Sequence, residues 1–250
     1  MPEVPPPSPS QTPFPVTRWT LLQRVRSGSA EEARGALETL CRAYWQPLYS
    51  VARRKQFNEH DAQDVVQGFF ESMLRRETFA TADASVGKLR QLLLTSFENF
   101  CTSQWRHANR QKRGAGAEHV EFTELVNPEN AERRYLTCAD SLSIDALYNR
   151  AWASTVIDRS LEALREDYAR RGWQERYDLL VNAMLQKEGE VSLVQLAETA
   201  GTTPGALRVT LHRMRGHYRD KIERELATTL DSDDPALIRE EMTALVAAFA

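Results

Sequence analysis

An all-α fold is the class this sequence predicts, built as two small helical domains joined by an extended linker. Three observations predict it. From residue 17 onward apolar residues recur at helical spacing almost throughout. No alternating apolar and polar run bounded by turn dipeptides announces a hairpin. Gly28, Gly114 and Gly201 stand where periodic stretches stop. A chain of 250 residues, 42% hydrophobic and 27% charged, has the material for two cores and a solvated surface.

Seven of the 11 prolines fall within residues 1–15. Proline lacks the backbone donor that regular elements need, so residues 1–16 are expected to form a disordered, partly polyproline arm. The first helix follows over 17–26, with Trp19, Leu22 and Val25 on one side, and Gly28 ends it. Ser29 and Glu32 have capping-box spacing ahead of a helix that sets Leu37, Leu40, Cys41, Tyr44, Leu48 and Tyr49 on one face. Pro47 is expected to kink or restart that helix. Asn58 caps a third helix through Arg76, with Val65, Val66, Phe69, Phe70, Met73 and Leu74 as its inner side. After a loop over 77–87, a fourth helix runs from Lys88 to about Arg113 and stops at Gly114-Ala-Gly116. Residues 114–145 hold Gly, Asn-Pro and scattered acids with little helical period, and are expected to be an acidic linker. Further helices are predicted at about 146–170, 174–187, 193–200 and 204–227. A last one opens at Asp234-Pro235, a cap residue with proline at the first helical position. The two domains are thus 17–113 and 146–227, with 228–250 as a C-terminal extension.

Several classes are excluded or disfavoured early. No run of 18 apolar residues exists, so no membrane partner is expected. The opening Met1-Pro-Glu-Val-Pro-Pro-Pro has neither basic flank nor apolar stretch and does not read as a secretory signal. Cys41, Cys101 and Cys138 are odd in number and far apart, which suits reduced thiols of a cytoplasmic protein. None of His60, His107, His119, His212 and His217 stands in a metal-ligand spacing, and no nucleophile elbow or phosphate loop is present. An enzyme, a metal and a cofactor are therefore not expected. The net charge of −3 gives no hint of nucleic acid. The local charge does.

Ser192 and Gln195 have cap spacing, Leu193, Leu196 and Ala197 face inward, and Ala200-Gly201 turns the chain. Thr203 then caps a helix whose inward set is Leu207, Leu211 and Met214. Small Ala197 lets the two helices cross closely, and Gly201 supplies the positive φ of a tight turn. This is a helix-turn-helix pattern. The outward face of its second helix carries Gly205, Arg208, Val209, His212, Arg213, Arg215 and Arg219. From 203 to 224, six basic residues stand against Asp220 and Glu223. A helix entering a major groove needs cations for phosphates and a few side chains for base edges. An ordinary helical hairpin with a solvated basic face is the alternative. Near the end of the fourth helix, Trp105, Arg106, His107, Arg110, Lys112 and Arg113 interleave rings and cations, which suits single-stranded nucleic acid. Phe97 and Phe100, a turn or two earlier, are expected to be core.

Tyr44 to Lys55 (YWQPLYSVARRK), Asp61-Ala-Gln-Asp-Val-Val-Gln67, the 88–113 helix ending HANRQKR and the late helix-turn-helix together resemble a bacterial RNA polymerase sigma factor of the extracytoplasmic-function class. The resemblance covers about residues 17–227, in the family's order. It implies that 17–113 binds core RNA polymerase and melts the minus-ten element, while 146–227 reads the minus-thirty-five element. The partners so implied are core polymerase and promoter DNA, as duplex and as melted single strand, with an anti-sigma or kinase regulator as a further class. Asp61, Asp64, Gln67 and Phe70 match the core-binding motif, which docks on a coiled coil of the largest polymerase subunit. Gln63 and Gly68 depart from that motif by removing charge. For Asp61 and Asp64, compensation of the helix N-terminus is the structural alternative. Lys88, Arg90, Asn99, Trp105, Arg106, Arg110 and Arg113 match the minus-ten side, with the loop at 78–87 placed to capture a flipped base. Thr203, Gly205, Arg208, Val209, His212, Arg213, Arg215 and Arg219 match the minus-thirty-five side, with Arg208 and His212 toward base edges. A stand-alone helix-turn-helix regulator of operator DNA is the competing function. The extension 228–250 is acidic and amphipathic along Ile238, Met242, Leu245 and Phe249. It is expected either to pack on the second domain or to cover a basic face and restrain DNA binding.

Overall fold

The computed structural model describes residues 20–74, 89–108, 128–138, 142–186, 192–230 and 232–250. Among these residues the fold is all-helical, as expected. The helices are α1 (Thr20–Ser27), α2 (Ala30–Arg54), α3 (Glu59–Leu74), α4 (Leu89–Ala108), α5 (Pro128–Cys138), α6 (Ile144–Arg170), α7 (Gln174–Leu185), α8 (Leu193–Thr199), α9 (Pro204–Leu230) and α10 (Pro235–Ala247).

The central pillar is α2. Its start is fixed by the full capping box: Ser29 Oγ accepts from the Glu32 amide, and Glu32 accepts from the Ser29 amide at 2.8 Å. Its second half is buried on nearly every side, from Ala43, Tyr44 and Trp45 through Leu48 to Ala52. A helix apolar all round must be enclosed by others, and α1, α3, α5 and α6 pack around this one. The expected interruption at Pro47 does not occur: α2 runs through it, and the ring is buried with its neighbours. The lost backbone bond costs about 3 kcal/mol. Burial of the adjacent large side chains on both flanks offsets that cost.

A second correction concerns 114–145. Pro128–Cys138 is the helix α5, not linker, and it packs on α2 through Ala131. Its sequence signal is the one that located α10: a cap-type residue, then proline, in Asn127-Pro128-Glu129. The attachment is polar as well. Glu132 accepts from Arg53 Nε at 2.8 Å, from Arg53 Nη2 at 2.7 Å and from the Tyr49 hydroxyl at 2.6 Å. The Arg53 guanidinium holds the Glu132 carboxyl below its usual range, while burial and that carboxylate push the Tyr49 hydroxyl up.

Two hydrophobic cores form, but they do not divide at the linker. The first joins α1 to α4 with Ala131 of α5, and then takes in Tyr148, Trp152, Ala153 and Val156 of α6, Ile222 and Leu226 of α9, and Leu245 of α10. The second holds Leu164 and Tyr168 of α6, Tyr177, Leu180 and Met184 of α7, Ala197 of α8, and Leu207, Leu211 and Met214 of α9. The division therefore falls inside α6 and α9. Both cores thus draw on α6 and α9, and the helix-turn-helix formed by α8 and α9 belongs to the second. Long helices can serve two cores because each core needs only a few turns of one face.

Candidate nucleic-acid interface

The head is assembled as the sequence requires. Ser192 Oγ accepts from the Gln195 amide to start α8, and Ala197 is buried where α8 meets α9. The turn closes through backbone bonds from Gly201 N to Glu198 O at 3.1 Å and from Thr202 N to Ala197 O at 2.9 Å. Gly201 takes φ +60°, the left-handed region in which a side chain would be strained. Thr203 Oγ1 accepts from the Ala206 amide at 3.2 Å and so caps α9.

Leu207, Leu211 and Met214 seal the inner side of α9, leaving Gly205, Arg208, Val209, His212 and Arg213 exposed with Thr203 at its tip. Val209 is 52% exposed, an apolar side chain offered to solvent among cations. Arg219, about two turns on from His212, is exposed too. Arg215 is different. Its Nε donates to Met184 O at 3.0 Å, and its Nη2 donates to Ala183 O at 3.2 Å and Gln186 O at 3.3 Å. It caps the free carbonyls at the end of α7, so its assignment to DNA phosphates is corrected: the guanidinium is turned inward and occupied. Arg176 of α7 was not anticipated. It donates to Thr210 Oγ1 on α9 at 3.2 Å and lies 5.9 Å from the centre of the half-exposed Trp173 ring.

At the start of α3, Asn58 Oδ1 accepts from the Asp61 amide at 2.9 Å, and its amide donates to Asp61 Oδ2 at 2.7 Å. One Asp61 oxygen is thus engaged in capping, though the residue is exposed. Asp64 is exposed, with His60 Nδ1 3.8 Å from its carboxylate. Gln67 is half-buried and donates to Glu71 at 3.1 Å. Phe70 is fully buried, stacked on Trp45 with ring centres 6.2 Å apart and tilted against Phe69. Its assignment to polymerase contact is corrected: alternating faces of a helix cannot both be outward, and Phe70 shares the core side with Val66 and Phe69.

On α4, Asn99 is exposed and Phe97 is fully buried against Phe69, as expected. Arg90 is not at the surface. It pairs with Glu241 of α10, and both side chains are 9% exposed. Sequence reasoning could not foresee this, because the partner lies 151 positions away. Lys88, Arg110 and Arg113 lie outside the described residues, as do the loop at 78–87 and the side chains of Trp105 and Arg106. Cys41 and Cys101 are buried free thiols, and burial pushes Cys101 up to about 12, which leaves it inert.

No family model, no curated protein and no solved structure matches this chain. Among the described residues no helix is long and apolar enough to cross a membrane. No group of three or more His, Cys, Asp or Glu among them could hold a metal ion.

Proposed function

We propose that this chain is a promoter-specificity subunit of the sigma type, which joins core RNA polymerase in the cytoplasm and directs transcription initiation. The observation that carries the reading is the outer face of α9: Arg208, Val209, His212 and Arg213 are free while Leu207, Leu211 and Met214 hold the helix from behind. That division matches what a major groove demands of a recognition helix. Arg208 can bind the acceptor pair of a guanine bidentately, Val209 can meet a thymine methyl, and Arg213 and Arg219 can reach phosphates. Gly205 carries no side chain at the exposed start of α9, where its backbone N–H can meet a phosphate beside the Ala206 amide that Thr203 caps.

Asp64 extends the reading from DNA to polymerase. An exposed carboxylate in the first turns of α3 complements basic side chains on a partner helix. The interleaved rings and cations of 105–113 are the part of the sequence suited to an unpaired strand. Run-off transcription with purified core polymerase and promoter-containing fragments is the test. The wild-type chain is expected to support specific initiation, and Asp64→Lys to lose core association while keeping its helical content. Sequence-specific duplex binding without any polymerase association would instead establish the stand-alone regulator.

A further inference from the structure

Helices α2, α5 and α6 meet without filling the space between them. Along α6, Leu147, Ala151, Ser154 and Asp158 follow at helical spacing and share one face. The short α5 is fastened to α2 where Gln46 Nε2 donates to Ala131 O at 3.1 Å, and to α6 by the Arg134–Asp158 ion pair at 2.6 Å. Where the three approach, the side chains are small: Ser50, Ala151 and Ser154. The result is a cavity of about 260 Å³. Leu147 and Ala151 give it an apolar wall, while half-exposed Arg134 and Asp158 and exposed Thr137 stand where it meets solvent. Ligand sites between the helices of bundles have this character, a concave apolar wall with a few convergent polar groups. None of these residues belongs to the polymerase-facing or DNA-facing sets.

The hydrogen bonds that this wall already makes select what it can hold. Gln46 Nε2 donates to Ser50 Oγ at 3.4 Å as well as to Ala131 O, so its Oε1 remains as an acceptor. Ser50 Oγ donates to Gln46 O at 3.1 Å, and Thr137 Oγ1 donates to Arg133 O at 2.8 Å, which leaves each hydroxyl with acceptor capacity alone. Arg134 Nη2 meets one oxygen of Asp158, and the other oxygen can accept. Burial raises the Asp158 carboxyl above its usual range in spite of Arg134, so that carboxylate gains from a further donor. Such a wall asks for a ligand rich in N–H groups. A cation is disfavoured, because Arg134 already stands at the same carboxylate and repels a second positive charge. Arg134 in turn asks for an acceptor beside the ligand's donors. Scaled from a cavity of about 150 Å³ that takes one benzene, this volume holds about ten non-hydrogen atoms, the size of one purine base. Guanine meets each requirement. Its N1–H and 2-amino group are adjacent donors for Asp158, and O6 is the acceptor beside them for Arg134. Adenine carries an acceptor at N1 and would set it against the carboxylate.

We propose that the cavity between α2, α5 and α6 is a binding site for a guanine base, held by Asp158 and Arg134 and laid against Leu147 and Ala151. The base can belong to a free nucleoside or to a single strand, since the cavity takes the base and leaves the sugar in solvent. The site rests on this geometry and not on the proposed function, so the two fail separately. The experiment titrates the full-length chain with guanosine, inosine and adenosine, followed by NMR. Guanosine is expected to bind, inosine about tenfold more weakly for want of the 2-amino donor, and adenosine more weakly still. Asp158→Asn is expected to weaken guanosine by at least about tenfold, and exposed Asp233→Asn to leave it unchanged. Ala151→Leu fills the cavity without touching the ion pair and is expected to abolish binding. Should Asp158→Asn lose its fold, Ala151→Leu decides alone. Two further arms compare a strand of thymines with the same strand carrying one guanine. A guanine preference that Ala151→Leu removes shows that the site takes a base from a strand. Guanosine binding without that preference shows a site for the free nucleoside. Absence of guanosine binding together with absence of a guanine preference overturns the proposal. So does adenosine binding as tightly as guanosine, or guanosine binding that survives Ala151→Leu.

Discussion

Arg213 and Arg215 are two residues apart on one helix, and substitution of each should fail in a different assay. Arg215 makes three hydrogen bonds to carbonyls at the end of α7, two of them partly buried. Bonds from a charged donor contribute about 1.5–3 kcal/mol each when well enclosed, and less at the surface. Discounting the exposed third bond, Arg215→Ala should lower stability by about 3 kcal/mol, read as a fall in the denaturation midpoint. Its DNA affinity, measured on the folded fraction, should keep the wild-type salt dependence. Arg213 is exposed and should behave in the opposite way. Arg213→Ala should leave the midpoint within about 0.5 kcal/mol. It should reduce the slope of log affinity against log salt by about 0.9, the loss of one phosphate contact. Fluorescence anisotropy with a duplex fragment across a salt series, paired with urea denaturation, measures both. If Arg215→Ala flattens the salt slope and leaves stability alone, the inward placement of Arg215 is wrong and the cap argument fails with it.

Arg208→Ala should weaken specific duplex binding by about 1–3 kcal/mol and relax preference at one base pair, checked by binding selection from a randomised site. Glu132→Gln should cost about 2 kcal/mol at neutral pH, since the carboxylate is bound by Arg53 and Tyr49 within a largely enclosed site. The native pKa of Glu132 is depressed below the ordinary 4.5, so its contribution is present above that value and is lost as pH falls through the native one. The gap between wild type and Glu132→Gln should therefore close in acid, as denaturation at pH 7 and below 4 would measure. Gly68→Ala should stabilise by about 1 kcal/mol. An added Cβ would sit at an ordinary 3.6 Å from the Phe100 ring, and thermal unfolding would detect the gain.

Local signals were legible where one turn of chain carries its own explanation. The Ser29–Glu32 box, the Asp234-Pro235 start, the Gly201 turn and the Thr203 cap each depend on residues within four positions, and each formed as expected. The outward run from Arg208 to Arg213 was equally readable, since the apolar residues between them fix which way the helix faces. Pro47 and α5 were misjudged for a common reason. In both, burial against distant helices decided the outcome, against an adverse local preference at Pro47 and beyond the Asn127-Pro128 start signal at α5. Phe70 lies on the inner side that the helical pattern gave it, beside Val66 and Phe69, and only the motif match had added it to the polymerase contact.

The order of residues by itself determined that this protein is helical, where most helices begin and end, and that one of them presents cations to solvent. Those properties arise from interactions spanning a single turn. Which cations remain available was decided only in three dimensions. Arg90 was taken by Glu241, Arg215 by the carbonyls of α7, and α6 by two cores at once. Such pairings join positions tens to more than a hundred residues apart, and periodicity along the chain carries no record of them.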